Sequence, residues 1–229
     1  GLKNKIFILV ALPSLGLIFF IALFISNNYS QYDDAIKAVQ YVKFSSSTSK
    51  LIHELQKERG KSNLYLGEKI TKDELEVQRT LSMKINALFE ESLKNIPKND
   101  EVIELKAEAI KALEAGRVIV NERGLATEAT KLFSLSIQKL ILTEIFVAHH
   151  VKASGDEKKL LSVTMLDMAK ENAGKLRANV ANVINADKEL NPQQIQLLSS
   201  LLAGLNENLS SPTLIISEES KKSLKNFKE

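Results

Sequence analysis

Residues 51–67 read LIHELQKERGKSNLYLG, and they predict a helix with one buried face. Positions three and four apart share a helix face, and this face carries Thr48, Ile52, Leu55, Arg59, Ser62 and Leu66. The charge of Arg59 cannot be removed, and burying it unpaired is costly, so it needs an acidic partner or a bound anion. Two interpretations are open: Arg59 pairs at the helix edge with Glu58 or Glu54, or it binds an anion. Gly60 costs a helix up to about 1 kcal/mol relative to Ala, which predicts that something approaches the backbone there.

The composition predicts an almost entirely helical chain. The 229 residues include only 9 Gly and 4 Pro, no Cys, and a net charge of +3. Abundant Ala, Leu, Lys, Glu and Gln favour helices with short connections. The charge is small and spread along the chain without a basic block, so nucleic-acid binding is not expected. The lack of cysteine excludes disulfides and thiolate metal sites.

The N-terminal region predicts a membrane anchor. The stretch from Ile6 to Ile25 reads IFILVALPSLGLIFFIALFI, which is long and apolar enough to cross a bilayer core of about 30 Å. No cleavage site of small residues follows it, so the anchor is predicted to be uncleaved. Lys3 and Lys5 precede the span and acidic residues follow it, which places the N-terminus in the cytoplasm and the rest of the chain outside.

The remaining pattern predicts seven helices packed as antiparallel bundles. The first rises from the membrane to Leu66 and is closed by Gly67, and a capping box from Thr71 to Glu74 opens the second, which runs to about Leu93. The others are predicted from about Glu101 to near Gly124, Thr127 to near Gly155, Glu157 to Ala186, Pro192 to Pro212, and from Ser217 or Glu218 onward. The last helix is still running at Glu229, so the chain is expected to be cut within an element. Short connections favour antiparallel packing, and nothing in the pattern predicts a strand.

A second arginine interrupts an apolar stripe in residues 165–184, MLDMAKENAGKLRANVANVI. The stripe consists of Leu166, Ala169, Ala173, Arg177, Val180 and Ile184. Two core-facing arginines on two helices predict one shared anion, and small neighbours leave room for a ligand or a close helix. The alternative is that Arg177 pairs with Glu171 or another carboxylate. A third arginine, Arg123, repeats the ERG triplet but is predicted to lie at a helix end, outside the site.

No enzyme or metal site is predicted. His149 and His150 are adjacent and point about 100° apart on a helix, so they are unsuited to one metal ion. No nucleophile with a base and no phosphate-binding glycine loop is present. The sequence therefore predicts neither catalytic activity nor a cofactor.

Four blocks of the sequence carry a family resemblance: ELQKERGKSNLYLG (54–67), VQR (77–79), KENAGKLRANV (170–180) and NPQQIQLLSSLLAGLNENL (191–209). With them the chain resembles the nitrate- and nitrite-sensing (NIT) domain of bacterial chemoreceptors, sensor kinases, cyclases and antiterminators. The resemblance implies an all-α fold of two four-helix bundles that share long helices. It also implies two arginines needed for the anion response, at the positions of Arg59 and Arg177. The family usually has Glu before the second arginine, where this chain has Leu176, so the pairing of Arg177 is open.

The chemistry of nitrate fits this pair. Nitrate is planar and singly charged, and its oxygens suit the forked donors of guanidinium groups. Ser62, on the same face as Arg59, is predicted to add a hydroxyl donor. The empty site is expected to hold two like charges that keep the helices apart until an anion binds. The resulting change in packing would reach the membrane through the first helix.

The sequence therefore predicts residues 1–28 as a cytoplasmic stub and anchor, and residues 29–229 as a periplasmic sensor of nitrate or nitrite. The protein is expected in the bacterial inner membrane as a homodimer, within a methyl-accepting chemotaxis receptor, although a histidine kinase or diguanylate cyclase is also compatible. The alternative is a structural or protein-docking bundle without a small-molecule ligand. A carboxylate partner for each arginine favours that alternative, whereas a polar cavity between them favours sensing.

Overall fold

The computed structural model describes residues 1–151, 156–186, 189–212 and 214–228. Within these ranges there are helices and no strands, so the predicted all-α fold is confirmed. The helices are α1 (Leu2–Leu66), α2 (Lys72–Lys94), α3 (Asp100–Asn121), α4 (Ala126–His149), α5 (Asp156–Ala186), α6 (Pro192–Ser210) and α7 (Glu218–Lys228).

The helix starts follow from local capping. Thr71 accepts a hydrogen bond from the Glu74 backbone at 3.3 Å, and the Glu74 carboxylate accepts one from the Thr71 backbone at 2.9 Å. This is the predicted capping box, and Asn191 and Gln194 form the same reciprocal pair at the start of α6. Each box satisfies backbone donors that a helix start would otherwise leave unpaired.

The helix ends differ in detail from the glycine stops that the sequence predicts. Gly67 keeps a φ of −86°, and the left-handed residue is Glu68, with a φ of 57°. At the end of α3 the left-handed residue is Arg123, with a φ of 53°, one residue before Gly124. The predicted stop of the fourth helix near Gly155 is replaced by an end at His149, and Gly155 itself lies outside the described residues.

Helices α1 to α4 enclose an apolar core. Its fully buried aromatic side chains are Phe44, Phe89 and Phe133. Helix α4 runs antiparallel to α1, since Asn63 accepts a hydrogen bond from Thr130 near one end and Ala38 packs with Val151 at the other.

Helices α5 and α6 pack outside this core. Helix α5 lies against α1 and α4, and α6 lies against α5. Helix α5 runs parallel to α1, because Leu160 belongs to the same apolar cluster as Ala38 and, further along both helices, Arg59 pairs with Glu171. Helices α1 and α4 are therefore shared between the α1–α4 bundle and the α5–α6 hairpin.

In the described part of the chain, two helices are long and apolar enough to cross a membrane. Half of the apolar window in α4 is buried, which fits a core helix of the bundle. None of the apolar window near the start of α1 is buried, and Phe19, Phe20 and Phe24 are exposed there. Residues 13–25 of the predicted span lie on this exposed part of α1.

Two acidic side chains are buried where α4 packs against α5. Glu144 is 1% exposed and Asp167 is fully buried. Lys170 lies 2.8 Å from one Asp167 oxygen, whereas both Glu144 oxygens lack a hydrogen-bond partner among the described residues. Burial, and then the neighbouring Asp167 carboxylate, raise the pKa of Glu144 well above its ordinary value. The folded protein therefore favours the protonated, neutral form of Glu144.

We expect Glu144 to make the protein less stable as the pH rises. Its pKa is higher in the folded chain, so its contribution is complete below the ordinary carboxyl pKa and is lost as the pH rises towards the folded-state pKa, by up to about 1.4 kcal/mol per pH unit. The substitution Glu144→Gln keeps a neutral side chain and should flatten this slope, measured as the free energy of unfolding in urea at a series of pH values. Glu104, which is exposed, provides the control Glu104→Gln. Equal slopes in the wild type and both variants would contradict the assignment.

Candidate functional site

The buried face predicted from residues 51–67 is present. Thr48, Ile52, Leu55, Arg59 and Ser62 are buried, and Leu66 is half-buried. This periodic burial orients Arg59 away from solvent and towards α4 and α5. Its charge must therefore be compensated inside the protein.

The Arg59 guanidinium is held by a carboxylate and a hydroxyl. Nη1 donates to Glu171 Oε1 at 2.6 Å, and Nη2 donates to Glu171 Oε2 at 3.1 Å. Nη1 also donates to Ser134 Oγ at 2.6 Å. Two parallel bonds between a guanidinium and one carboxylate form a strong and directional pair. Arg59 therefore joins α1 to α4 through Ser134 and to α5 through Glu171.

Other side chains hold Glu171 in place. Gln56 Nε2 donates to Oε2 at 3.2 Å, and Lys175 Nζ lies 3.3 Å from Oε1. The Glu171 side chain is 5% exposed. This carboxylate therefore has cationic neighbours on both its own helix and α1.

Glu54 and Glu58, which the sequence suggested as partners of Arg59, have other partners in the structure. Glu54 accepts hydrogen bonds from Lys57 and Gln78. Glu58 is adjacent to Arg59 and points about 100° away from it around the helix. The expected pairing of Arg59 with Glu58 or Glu54 is therefore wrong, because the packed neighbours of α1 supply a better placed carboxylate.

Glu58 forms a second buried ion cluster, on the side of α1 that faces α2 and α3. It is fully buried and accepts hydrogen bonds from Arg117 Nε at 2.7 Å and Nη2 at 2.8 Å. Arg79 Nε lies 3.7 Å from the same carboxylate, and Arg79 Nη1 donates to Asn121 at 2.7 Å. The sequence singled out the block with Arg79 without giving it a role, and it missed Arg117. The available signal was Glu58 itself, because a buried carboxylate requires a cationic partner.

Gly174 on α5 makes room for Arg59. A Cβ atom at Gly174 would lie 3.2 Å from Arg59 Nη2, which is closer than the two atoms can pack without a shift. At Gly60, where the sequence predicts a close approach to the backbone, no described atom lies within 4 Å of such a Cβ. That expectation is therefore wrong for protein atoms, and Gly60 faces an open cavity instead.

Arg177 is exposed rather than core-facing. Helix α5 runs parallel to α1 with Glu171 level with Arg59, so the end of α1 at Leu66 is level with the turn of α5 that carries Arg177. The predicted stripe is buried at Ala169 but exposed from Arg177 onward, because α1 no longer covers it. The alternative in which Arg177 pairs with Glu171 is also wrong, and in the described part of the chain Arg177 has no ion-pair or hydrogen-bond partner.

Arg59 and Arg177 line the same solvent-open cavity, with a volume of about 650 Å³. Its basic lining residues are Lys57, Arg59, Lys61, Lys170, Lys175 and Arg177. No Asp or Glu is found among the described residues that line it. A concave surface with charges of one sign focuses the potential and raises the local concentration of counter-ions. The cavity is therefore suited to anions, and one small anion would fill only part of it.

Ser62 does not line this cavity. It is fully buried, and its hydroxyl has no hydrogen-bond partner in the ranges described. Arg59 reaches the cavity because its side chain is long, whereas the Ser62 hydroxyl stays close to its own backbone. The hydroxyl that contacts Arg59 belongs to Ser134 on α4. The Ser62 hydroxyl is therefore not placed to donate to an anion in the cavity.

The repulsion between Arg59 and Arg177 is weaker than the sequence predicts. Glu171 neutralises the buried Arg59 charge, and Arg177 is exposed to water, which screens its charge. Repulsion between the two arginines therefore does not hold the helices apart. The physical reason is the Glu171 carboxylate on α5, which binds Arg59 at the position where the sequence predicts a bound anion.

Comparisons with known proteins identify the family. A family model described as nitrate and nitrite sensing matches residues 50–228, most of the chain. The chain belongs to the NIT family. No curated protein sequence matches it at a significant level.

A solved structure supports the NIT fold. The structure of the NasR transcription antiterminator is similar to this chain with a TM-score of 0.76 and 22% sequence identity. The similarity covers 89% of this chain and 57% of NasR, so the chain spans somewhat more than half the length of that relative. At this identity the likeness supports the helical architecture.

The second ERG triplet of this NIT chain lies outside the cavity. Arg123 is exposed, pairs with Glu68 at 3.3 Å, and lies 5.0 Å from the centroid of the Tyr65 ring. It lies just beyond the end of α3, where the sequence predicts a helix end. Arg123 therefore provides a control position for arginine substitutions in the NIT domain.

Two glycine substitutions in the NIT domain should differ in their effect on stability. Gly60→Ala places a methyl group in open space and should raise the free energy of unfolding by up to about 1 kcal/mol. Gly174→Ala gains the same helix propensity but presses on Arg59 Nη2, which Glu171 and Ser134 hold in place. Its stabilisation should therefore be smaller or reversed, as measured by thermal unfolding. Equal stabilisation by both variants would show that the Arg59 guanidinium moves freely.

Proposed function

We propose that this chain is the extracytoplasmic sensor domain of a bacterial transmembrane receptor, and that it binds nitrate or nitrite in the cavity shared by Arg59 and Arg177. The observation that carries the proposal is a cavity lined by six Lys and Arg residues and no described acidic residue. Membership of the NIT family supports the class of ligand. The function is signal sensing without catalysis.

The chemistry of the two arginines suits a small planar anion. Nitrate offers three oxygens in one plane, and a guanidinium offers parallel donors that bind two of them at once. Arg177 has no partner in the described ranges and is exposed, but one exposed ion pair contributes little free energy. The buried Arg59 and the lysines around the cavity supply the additional attraction. The ligand therefore needs both arginines.

A structural bundle without a ligand is the rival function. The Arg59–Glu171 pair favours this rival, because a carboxylate already compensates one of the two arginines. Arg177, which has no partner among the described residues, and the basic cavity favour the sensor. Anion binding itself is therefore the measurement that separates the two functions.

The proposed location is the bacterial inner membrane, with residues 29–229 in the periplasm. The apolar part of α1 has no buried residue in its 18-residue window, and so large an exposed apolar surface is unfavourable in water. A bilayer accepts a helix of this kind. Helix α1 continues unbroken from Leu2 to Leu66, so a change at Arg59 can reach the membrane through one rigid element. The proposed parent protein is a methyl-accepting chemotaxis receptor; a histidine kinase or a diguanylate cyclase is the alternative, since one sensor fold serves several output modules.

The proposed receptor is a homodimer in which two copies of α1 pack in parallel. A row of exposed apolar residues runs between the predicted span and the bundle: Ile25, Tyr29, Tyr32, Ile36 and Val39. Their alternating spacing of four and three residues is the heptad pattern of coiled coils. Two copies that enter the membrane with the same topology meet along this row when they are parallel.

The proposed orientation predicts the activity of reporter fusions. Alkaline phosphatase fused after residue 60 should be active, because that position would be periplasmic, whereas a fluorescent protein exported to the same position by the general secretory route should stay dark. A fusion of either reporter ahead of Ile6 should give the reverse result. Inactive phosphatase together with a fluorescent fusion after residue 60 would reverse the orientation.

The proposed site predicts distinct effects of the two arginines on thermal unfolding of the full chain in detergent. Nitrate should raise the melting temperature of the wild type with the logarithm of its excess over the dissociation constant. Arg177→Ala should remove this shift and leave the unliganded stability almost unchanged, because the side chain is exposed and unpaired within the described ranges. Arg59→Ala should remove the shift and also destabilise the unliganded protein by about 3 kcal/mol, because it leaves Glu171 buried without its main partner.

Two further variants define the specificity of this test. Substitution of either arginine by Lys should also impair the shift, since a point charge does not reproduce the bidentate fork. Arg123→Ala removes an exposed arginine outside the cavity and should keep the normal shift. Normal nitrate and nitrite shifts in the Arg59 and Arg177 variants would contradict the proposed site.

A further inference from the structure

The contact between Arg59 and Glu171 has the geometry of a bound planar anion. A carboxylate presents two coplanar oxygens to the guanidinium, and nitrate or nitrite would present two oxygens in the same way. In the structure Glu171 occupies both terminal nitrogens of Arg59. Arg59 also lines the basic cavity. A ligand that enters the cavity therefore finds both terminal nitrogens of Arg59 already bound to Glu171.

We infer that Glu171 is a built-in competitor of the ligand, and that nitrate or nitrite binds Arg59 by displacing the Glu171 carboxylate. This inference rests on the proposed function and deepens it, because it names the residue that sets the affinity. The exchange replaces one anion by another at the same guanidinium. The Arg59 guanidinium therefore keeps an anionic partner while its direct ion pair with α5 is lost.

The displaced carboxylate has a cation within reach. Lys175 lies one turn further along α5, and its Nζ is 3.3 Å from Glu171 Oε1 before any displacement. A Glu followed four residues later by Lys is a favourable pair on a helix. A buried carboxylate left without any partner would oppose the exchange strongly, and Lys175 lowers this cost. Glu171 can therefore leave Arg59 without becoming an isolated buried charge.

The exchange changes the ion pairs that connect α5 to α1. Arg59 keeps Ser134 on α4 as a partner but loses its direct ion pair to α5. Arg177 lies six residues beyond Glu171, about 9 Å along the helix axis, and becomes the α5 residue that the bound anion attracts. Anion binding therefore moves the contact between α1 and α5 to a different turn of α5. Because α1 runs unbroken to the N-terminal apolar segment, this change alters the helix that leads to the membrane.

The affinity test compares Glu171→Gln with the wild type in the full chain, using calorimetry with sodium nitrate and sodium nitrite. The neutral amide competes less well than a carboxylate, so the variant should bind with a dissociation constant at least about fivefold lower. Glu171→Asp retains the charge on a shorter side chain. Its dissociation constant should lie between those of the wild type and Glu171→Gln. Glu90 pairs with Lys106 across α2 and α3, away from the cavity, and Glu90→Gln should leave the dissociation constant unchanged.

A distance measurement tests the release of α5. The chain has no cysteine, so spin labels can be attached at Lys50→Cys on α1 and Lys158→Cys on α5, both at exposed positions. Nitrate should change the distribution of distances between the labels in the wild type, and equal concentrations of sodium chloride should not. Glu171→Gln without any ligand should already show the changed distribution.

The outcomes separate the inference from the proposed function. A wild-type chain that binds neither nitrate nor nitrite overturns both. A wild type that binds normally, together with a Glu171→Gln variant of equal or weaker affinity, overturns the exchange and leaves the proposed function standing. Label distances that stay the same on addition of nitrate overturn the release of α5. Tighter binding by Glu171→Gln with a matching change in distance supports the exchange.

Discussion

The packing of this protein depends on the neutralisation of two neighbouring buried charges on α1. Glu58 and Arg59 are adjacent in sequence but point in different directions, and each is satisfied by different helices. Glu58 binds Arg117 on α3 and lies close to Arg79 on α2, whereas Arg59 binds Glu171 on α5. A buried charge without a partner is strongly destabilising. The surrounding helices must therefore dock in the register that delivers these partners.

The two ion clusters differ in their position relative to the basic cavity. Glu58 is fully buried, and neither Glu58 nor Arg117 lines that cavity. Arg59 is also buried, but it lines the cavity. Under the proposed exchange, an anion in the cavity would therefore open the ion pair at Arg59 and leave the ion pair at Glu58 in place.

Arg177 is exposed because α1 ends at Leu66. Helix α5 continues past the level of Leu66, so the turn that carries Arg177 is no longer covered by α1. The residue before it is Leu176, where the NIT pattern usually has Glu, and Glu171 is already engaged with Arg59 and Lys175. Among the residues that the structure describes, the lack of a carboxylate beside Arg177 and the end of the neighbouring helix together leave this arginine without a partner at the cavity.

The sequence by itself determined the helices, their approximate ends and the buried face through Arg59, because capping and periodicity are encoded within a few residues, as at Thr71 and Glu74. It also identified Arg59 as a charge that needs compensation. Only the tertiary structure decided that the partner is Glu171, 112 residues away in the sequence, and that Arg177 is exposed while Ser62 is turned into the core. These facts depend on which helices touch and at what relative height, and side-chain periodicity along one helix contains no information about the register between two.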